Sequence, residues 1–386
     1  MSDGSRGVTA LHCPHRPPCP GCPRFAQDEL PPGVGRLEQL AQDAGIALEH
    51  QTGRGPGHRH RVRLSVRQLA GRPRLGIFEA GSHRLVSIPQ CVVHHPAIAR
   101  LHVQLEDWLH AFGIPAYDER RHSGLLRAVQ MAVERRSGRV QLVLVVRDHL
   151  GPASAVRRQL EPLLGELERH ESGLCGVWLN AQPEPTNTLL GETFEHVFGA
   201  RVLEDESGGA RVFYPPSAFG QANPELHDRA VERIHRALGS KERIVEYHAG
   251  VGTIGLGLAS RSQLTFNEVG PGSLEGLRLG LRAVGDAAGS ARVLEGPADE
   301  HVEGLEGVEA AIVDPPRKGL SPRLLAGLAE RGPETVAYLS CGLDSFLRDV
   351  EVLRAGGYEP RELVALGYFP YTEHIETLAI LRRVRA

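Results

Sequence analysis

Lysine is nearly absent from this chain. Of its 44 Lys and Arg residues only Lys241 and Lys318 are lysines, so almost every positive charge is a guanidinium. Long apolar runs are missing too: no stretch approaches the roughly 18 residues a membrane helix needs, which excludes a spanning helix and predicts a soluble chain. The opening MSDGSRGVTALHCPHRPPCPGCPRF holds no continuous apolar segment of the export type, so a cytoplasmic location is expected. Structural disulfides are not expected in that reducing compartment. Acidic residues are lacking across residues 51–78, where Arg54, Arg59, Arg61, Arg63, Arg67, Arg72 and Arg74 accumulate beside His58 and His60. A second basic cluster comprises Arg120, Arg121, Arg127, Arg135, Arg136 and Arg139. The net charge of −3 argues weakly against a nucleic-acid partner, but the distribution matters more than the sum. On charge alone these arginines read equally as solvated faces or as a phosphate-tracking surface.

What is present is 386 residues, enough for two domains with separate cores, and two contrasting patterns. Up to about Phe213, short alternating segments such as HRVRLSVRQL, RVQLVLVVRD and GLCGVWLN are broken by Gly, Pro and Asn, which predicts an antiparallel sheet with a few helices. YPPSAFGQANPE, residues 214–225, then punctuates the chain with three prolines. Beyond it the apolar strands of RIVEYHAG, LTFNEV, GVEAAIVDPP, ETVAYLSC and ETLAILRRV alternate with helix-length segments, the pattern of a parallel α/β sheet. The expected division is residues 1–217 and 218–386, with residues from about 29 to 60 packing on the second domain. There is no internal repeat.

EYHAGVGTIGLGLA sets Gly250, Gly252 and Gly255 between a strand and an expected helix, matching the G-x-G-x-x-G fingerprint of dinucleotide sites. Two acidic residues favour S-adenosyl-L-methionine over a pyrophosphate. Glu246 precedes the turn where it would meet an ammonium group, and Glu268 ends the next strand where a carboxylate accepts ribose hydroxyls. Asp314 of AAIVDPPRKG stands at the carboxyl end of a third strand, and VAYLSC delivers Cys341 to the same edge. A lone thiol reads first as a core residue, as Cys175 does; the company of Cys341 favours a nucleophile. Cys13, Cys19 and Cys22 lie in one proline-rich loop, and Cys91 stands in SIPQCVVHHP of the same half. Four thiols suit either a structural zinc or an iron-sulfur cluster, and spacing does not choose between them.

DPPRKG, YLSCG and HIETLAIL, preceded by AFGQAN and EYHAGVG, resemble the RNA 5-methyluridine methyltransferases over nearly the whole chain. CPHRPPCPGC with PQCVVHHP resembles the four-cysteine site of the 23S ribosomal RNA branch, and RHRVRLSV with GLLRAVQMAV its RNA-binding domain. The resemblance implies a Rossmann-like S-adenosyl-L-methionine methyltransferase domain after an α+β cysteine-cluster and RNA-binding domain. Cys341 is then the nucleophile and Glu376 the base. Gln221, His248, Gly250, Gly252, Thr253, Glu268 and Asp314 line the cofactor and target-base pocket, and Cys13, Cys19, Cys22 and Cys91 hold a [4Fe-4S] cluster in preference to zinc. The small β-barrel that precedes the cysteine loop in part of the family is expected to be absent.

Four positions depart from the family pattern: Gly342 for Asn, His248 for an aromatic residue, Pro297 for a polar contact and Gly367 for Asp. The expected partner is a single-stranded or loop segment of 23S ribosomal RNA, and the expected state a monomer. Alternatives of other kinds are a transfer-RNA enzyme of the same family, a non-catalytic iron-sulfur RNA binder, and a nicotinamide oxidoreductase resting on the glycine fingerprint alone.

Overall fold

The computed structural model describes residues 12–25, 27, 29–152 and 154–384. Residues 1–11, on which much of the expectation about an export leader rests, lie outside them. The second half builds an eight-stranded sheet in the order Leu48–Thr52, Tyr358–Gly367, Glu376–Arg383, Thr335–Ser340, Ala310–Val313, Arg243–Tyr247, Gln263–Glu268 and Arg292–Glu295. Every pairing is parallel except the two made by Glu376–Arg383, which runs against both neighbours.

Both faces of this sheet are covered, which is why its strands are apolar without a break. Ala310 and Ile312 join one core with Ala230, Val231 and Ile234 of the helix Pro224–Leu238. Ala311 and Val313, one residue out of phase, join another with Leu324, Leu328, Phe346 and Val350 of the helices Pro322–Arg331 and Leu343–Ala355. Residues 33–52 belong to this sheet. The helix Gly33–Asp43 buries Val34, Leu37 and Ala41 in the second core, and Leu48–Thr52 pairs with Tyr358–Gly367 from Leu48↔Leu363 to Thr52↔Gly367. The sheet thus ends on a short five-residue strand.

The first half forms a seven-stranded sheet ordered Leu85–Ser87, Arg72–Phe78, Arg61–Leu69, Leu126–Val133, Val140–Val146, Leu174–Ala181 and Thr193–Gly199. It is antiparallel but for one pair: Val140–Val146 and Leu174–Ala181 run parallel, joined through the helix Val156–Arg169. Alternation in the sequence shows a strand but not the direction of its partner, so this crossover was not expected. One face packs on the helices Pro96–Ala111 and Val156–Arg169. From the other, Gln130 Nε2 donates to Pro216 O at 2.7 Å and Gln141 Nε2 to Tyr214 O at 3.3 Å. No described helix is long and apolar enough to cross a membrane.

Much of the arginine run is consumed within the fold. Arg61 stacks on Tyr214 at 3.9 Å, and a Cβ at Gly220 would lie 2.5 Å from its guanidinium carbon. Arg67 pairs with Glu119, Arg72 with Asp107 and Arg74 with buried Glu106, while Arg135 grips Asp205 at 2.8 Å and also Asp228. Arg127 donates to the carbonyls of Gln182, Glu184 and Thr186. Arg63, Arg120, Arg121, Arg136 and Arg139 remain exposed. Arg61 is neither a solvated face nor a phosphate contact: it reaches from the first sheet onto Tyr214, whose ring belongs to the core of the second. Arg61→Ala should lower stability by about 2 kcal/mol in urea unfolding, the scale of a desolvated cation–π contact, and leave RNA affinity of the folded protein unchanged. Arg120→Glu, at an exposed position, should instead weaken RNA binding and leave stability unchanged.

Candidate active site

Strand direction creates the site. The parallel strands present their carboxyl ends at one edge of the sheet, and the reversed strand Glu376–Arg383 presents its first residue there. Its register with Thr335–Ser340 ends at Ser340↔Thr377, so the next residues outward, Cys341 and Glu376, face each other across the ladder. Leu366↔Glu376 on the other side leaves Glu376 between two neighbours, and it is buried. Asp314 follows Val313, which pairs with Tyr338 and Tyr247, so it reaches the same edge beside His248. The structure therefore gathers Cys341, Glu376, Asp314 and the glycine turn.

The thiol is half-buried, with Sγ 4.0 Å from Pro315 O. Burial raises its pKa first, the Glu376 and Asp314 carboxyls raise it further, and Arg317 opposes them. Gly342 is the N-cap of Leu343–Ala355, which puts Cys341 at the positive end of a 13-residue helix. Burial pushes the Glu376 carboxyl up to about 8, with Asp314 adding and Arg317 opposing. Asp314 is pushed up to about 7 by burial alone. The groove is thus crowded with carboxyls that hold protons near neutral pH, and a cation placed among them would release those protons.

The glycine turn is a tight cradle. Gly250 and Gly252 take positive φ, and a Cβ on Gly252 would fall 2.7 Å from Leu256. The expected helix forms only as the short 3₁₀ segment Leu256–Leu258, reached through turns. Glycine density explains this, since Gly250, Gly252, Gly255 and Gly257 each weaken a helix and a Cβ on Gly257 would meet Gly208 O at 1.9 Å. Glu246 lies buried beneath the turn rather than at its mouth, with Oε2 unpartnered and a Cβ on Gly255 blocked 2.2 Å from it. Glu268 accepts from Gly250 N at 2.7 Å, Val269 N at 2.9 Å and Gly270 N at 2.6 Å. A carboxylate has about four lone-pair sites, so capacity for a ligand hydroxyl remains. His248 is held at φ +59 with Nδ1 buried and unpartnered.

Thr253 Oγ1 sits 3.0 Å from His227 Nε2, whose Nδ1 meets the Tyr368 hydroxyl at 3.1 Å. Gln221 lines a small cavity with His60, Arg135 and His227. Arg317, His227 and Tyr368 were not singled out in the sequence. Arg317 directly follows Asp-Pro-Pro, a signal that was present, whereas His227 and Tyr368 lie 141 residues apart and gave none. Two departures from the family pattern have local causes. A Cβ at Gly342 would lie 2.6 Å from Arg317 O, and one at Gly367 would press on Thr52 at 3.2 Å.

Cys13, Cys19, Cys22 and Cys91 are free thiols that line one cavity with Arg59, Arg63 and His94. Burial pushes Cys22 up to about 11, and the other three thiols add to that rise. Arg59 Nε and His94 Nδ1 are buried there without hydrogen-bond partners. Thiols with orphaned donors around them suit an anionic sulfur-rich group. Among the described residues no three His, Cys, Asp or Glu side chains form a site for a metal ion.

The fold and the edge that carries Cys341 define the Rossmann-like class of S-adenosyl-L-methionine methyltransferases. No family model matches the chain. An uncharacterized RNA methyltransferase of Protochlamydia amoebophila (strain UWE25) is 35% identical over 379 residues, covering 97% of this chain and 98% of that one. Another, of Parasynechococcus marenigrum (strain WH8102), is 31% identical over 367 residues, 93% of this chain and 77% of that one. The tRNA (uracil-54, C5)-methyltransferase of Pyrococcus abyssi, solved with S-adenosyl-L-homocysteine, shares the fold at a TM-score of 0.73 and 23% identity, over 89% of this chain and 81% of that one. The chain belongs to the RNA methyltransferase family.

Glu376 gives the site a pH signature. Its folded pKa, about 8, lies above the ordinary carboxylate range, so the folded state holds a proton that the unfolded state releases. Stability then falls as pH rises through that window. Glu376→Gln should raise the melting temperature by about 2 °C at pH 8 and leave it unchanged at pH 5, measured by calorimetry.

Proposed function

We propose that this protein transfers the methyl group of S-adenosyl-L-methionine to C5 of a uracil in RNA through a covalent adduct with Cys341. The observation that carries the reading is the register that sets Cys341 opposite Glu376. Uracil C5 is too weakly nucleophilic to attack a methyl group unaided. The Cys341 thiolate adds to C6, and the C5–C6 π electrons move onto C5 and O4 as an enolate. C5 then attacks the sulfonium methyl, forming the C–C bond as the C–S bond breaks and leaving S-adenosyl-L-homocysteine. Glu376 as carboxylate removes the proton from C5, and the returning electrons expel the thiolate.

The raised pKa values fit this sequence. Burial biases the Cys341 thiol and the Glu376 carboxyl toward their protonated forms, and the positive sulfonium favours the ionised forms that the reaction uses. The glycine turn with Glu268, Thr253, His248 and Gln221 is the proposed cofactor cradle. A flipped-out base needs an unpaired segment, so a loop of 23S ribosomal RNA is the proposed substrate, positioned by the exposed arginines. Cys13, Cys19, Cys22 and Cys91 are proposed to hold a [4Fe-4S] cluster; a group of several atoms suits a cavity whose thiols do not converge on one ion. When bound, it would cross-link the cysteine loop to the first sheet.

With labelled S-adenosyl-L-methionine and RNA lacking 5-methyluridine, label should enter one uridine of 23S ribosomal RNA. Cys341→Ala should lose it by at least about 10³-fold and form no adduct, while Glu376→Gln should accumulate a denaturant-stable enzyme–RNA adduct. Label in a transfer RNA would reassign the substrate, and a freely turning over Cys341→Ala enzyme would end the mechanism. Calorimetry in two buffers of different ionisation enthalpy should show proton release on binding S-adenosyl-L-methionine at pH 7, and less with uncharged-sulfur S-adenosyl-L-homocysteine.

A further inference from the structure

One side chain joins the four-thiol cavity to the reaction groove. Arg59 lines the cavity, and its guanidinium carbon lies 5.2 Å from the ring centroid of Phe369. Phe369 opens loop 369–374, which runs directly into Ile375 and Glu376. The backbone of Arg59 is fixed on the segment that follows Cys91: its N–H donates to Val93 O at 2.8 Å, and its carbonyl accepts from His95 N at 3.0 Å. The side chain therefore leaves a rigid base and crosses from one site to the other. A second contact runs beside it. Arg24 N, two residues beyond Cys22, donates to Tyr371 O at 2.9 Å, and Phe25 packs on Tyr371 with ring centroids 4.9 Å apart. Tyr371 itself sits in the left-handed region at φ +71, with its hydroxyl where a Cβ on Gly55 would come within 2.0 Å. The loop before Glu376 is thus held by the cysteine loop and by Arg59, not by the sheet alone.

Arg59 Nε is buried without a partner, in the cavity that Cys22 and Cys91 also line. A buried guanidinium without an anion is unfavourable, whereas thiolate-bound cluster sulfur would accept from that Nε and keep the plane over Phe369. We infer that Arg59 is a positioning residue that couples occupation of the four-cysteine cavity to the placement of loop 369–374, and so of Glu376. The inference rests on the cluster reading above. A group in the cavity holds Arg59 against Phe369; an empty cavity frees the guanidinium to turn to water and the loop to loosen.

The test is hydrogen exchange of loop 369–374 in protein of measured iron content, before and after anaerobic chelation, with strand Arg243–Tyr247 as internal reference. Removing the cluster should speed exchange in the loop fivefold or more relative to that strand, the lower range of site-to-site coupling. In Phe369→Leu, which leaves the cavity and the Arg24–Tyr371 contact intact, chelation should speed the loop by less than half as much. Arg59→Lys, which keeps the charge and loses the planar stack, should retain iron and lower kcat while KM for RNA stays within twofold. Equal exchange before and after chelation, a rise spread evenly over both segments, or an undiminished effect in Phe369→Leu would overturn the inference while leaving the cluster standing. Iron-free wild-type protein would overturn the cluster reading first and this one with it.

Discussion

A reversed strand in an otherwise parallel sheet governs the chemistry of this molecule. Parallel strands all end at one edge and all begin at the other, so the first residue of one never meets the last residue of another. Glu376–Arg383 runs the other way, and its first residue arrives where Thr335–Ser340 finishes. That is how a cysteine after a strand and a glutamate at the start of one, 35 positions apart, become neighbours. Register makes the meeting specific. A slip of one residue would turn Glu376 to the opposite face and move Leu378 and Ile380 out of the core they share with Ala337 and Leu339. The apolar pattern of the strand therefore positions Glu376.

The same edge concentrates carboxyl groups. Asp314 and Glu376 are pushed to about 7 and 8 because burial disfavours their ionised forms, and Arg317 offsets this only in part and only at Glu376. Such a groove is poorly suited to an anionic ligand and well suited to a cation. This bears on the glycine turn, whose fingerprint also fits pyrophosphate-binding enzymes. Glu246 beneath the turn, Glu268 at its rim and Asp314 beside it set an electrostatic preference that the glycines leave open.

The second half was legible because its signals are local. Strand, glycine turn and a carboxylate or thiol at the strand end are written in runs of ten residues, and Cys341, Asp314 and Glu376 do converge. What was not legible depends on distant partners. Residues 51–78 carry no acid of their own, so their arginines read as free, yet Glu106, Asp107, Glu119 and Glu225 reach them from other elements. Arg61 reads as surface until Tyr214 is seen beneath it. The parallel pair in the first sheet, the His227 bridge and the shortness of the helix after the glycine turn were hidden for the same reason. Each is decided by which element packs alongside, and alternation or spacing within one segment does not record that.

The two halves meet through cations placed over aromatic rings and acids. Arg61 lies on Tyr214, Arg135 holds Asp205 and Asp228, and Arg59 lies over Phe369. Guanidinium suits these places better than ammonium would. It is planar, stacks on rings while donating from its edge, and is more weakly hydrated, so it enters a half-buried joint at lower cost. A chain with only two lysines among its 44 basic residues thus has a surplus of the one cation that serves both purposes. Some arginines close the joint between the sheets, and others stay exposed beside it. Only this second group is exposed enough to meet phosphate, so the size of the basic run overstates the surface available to it.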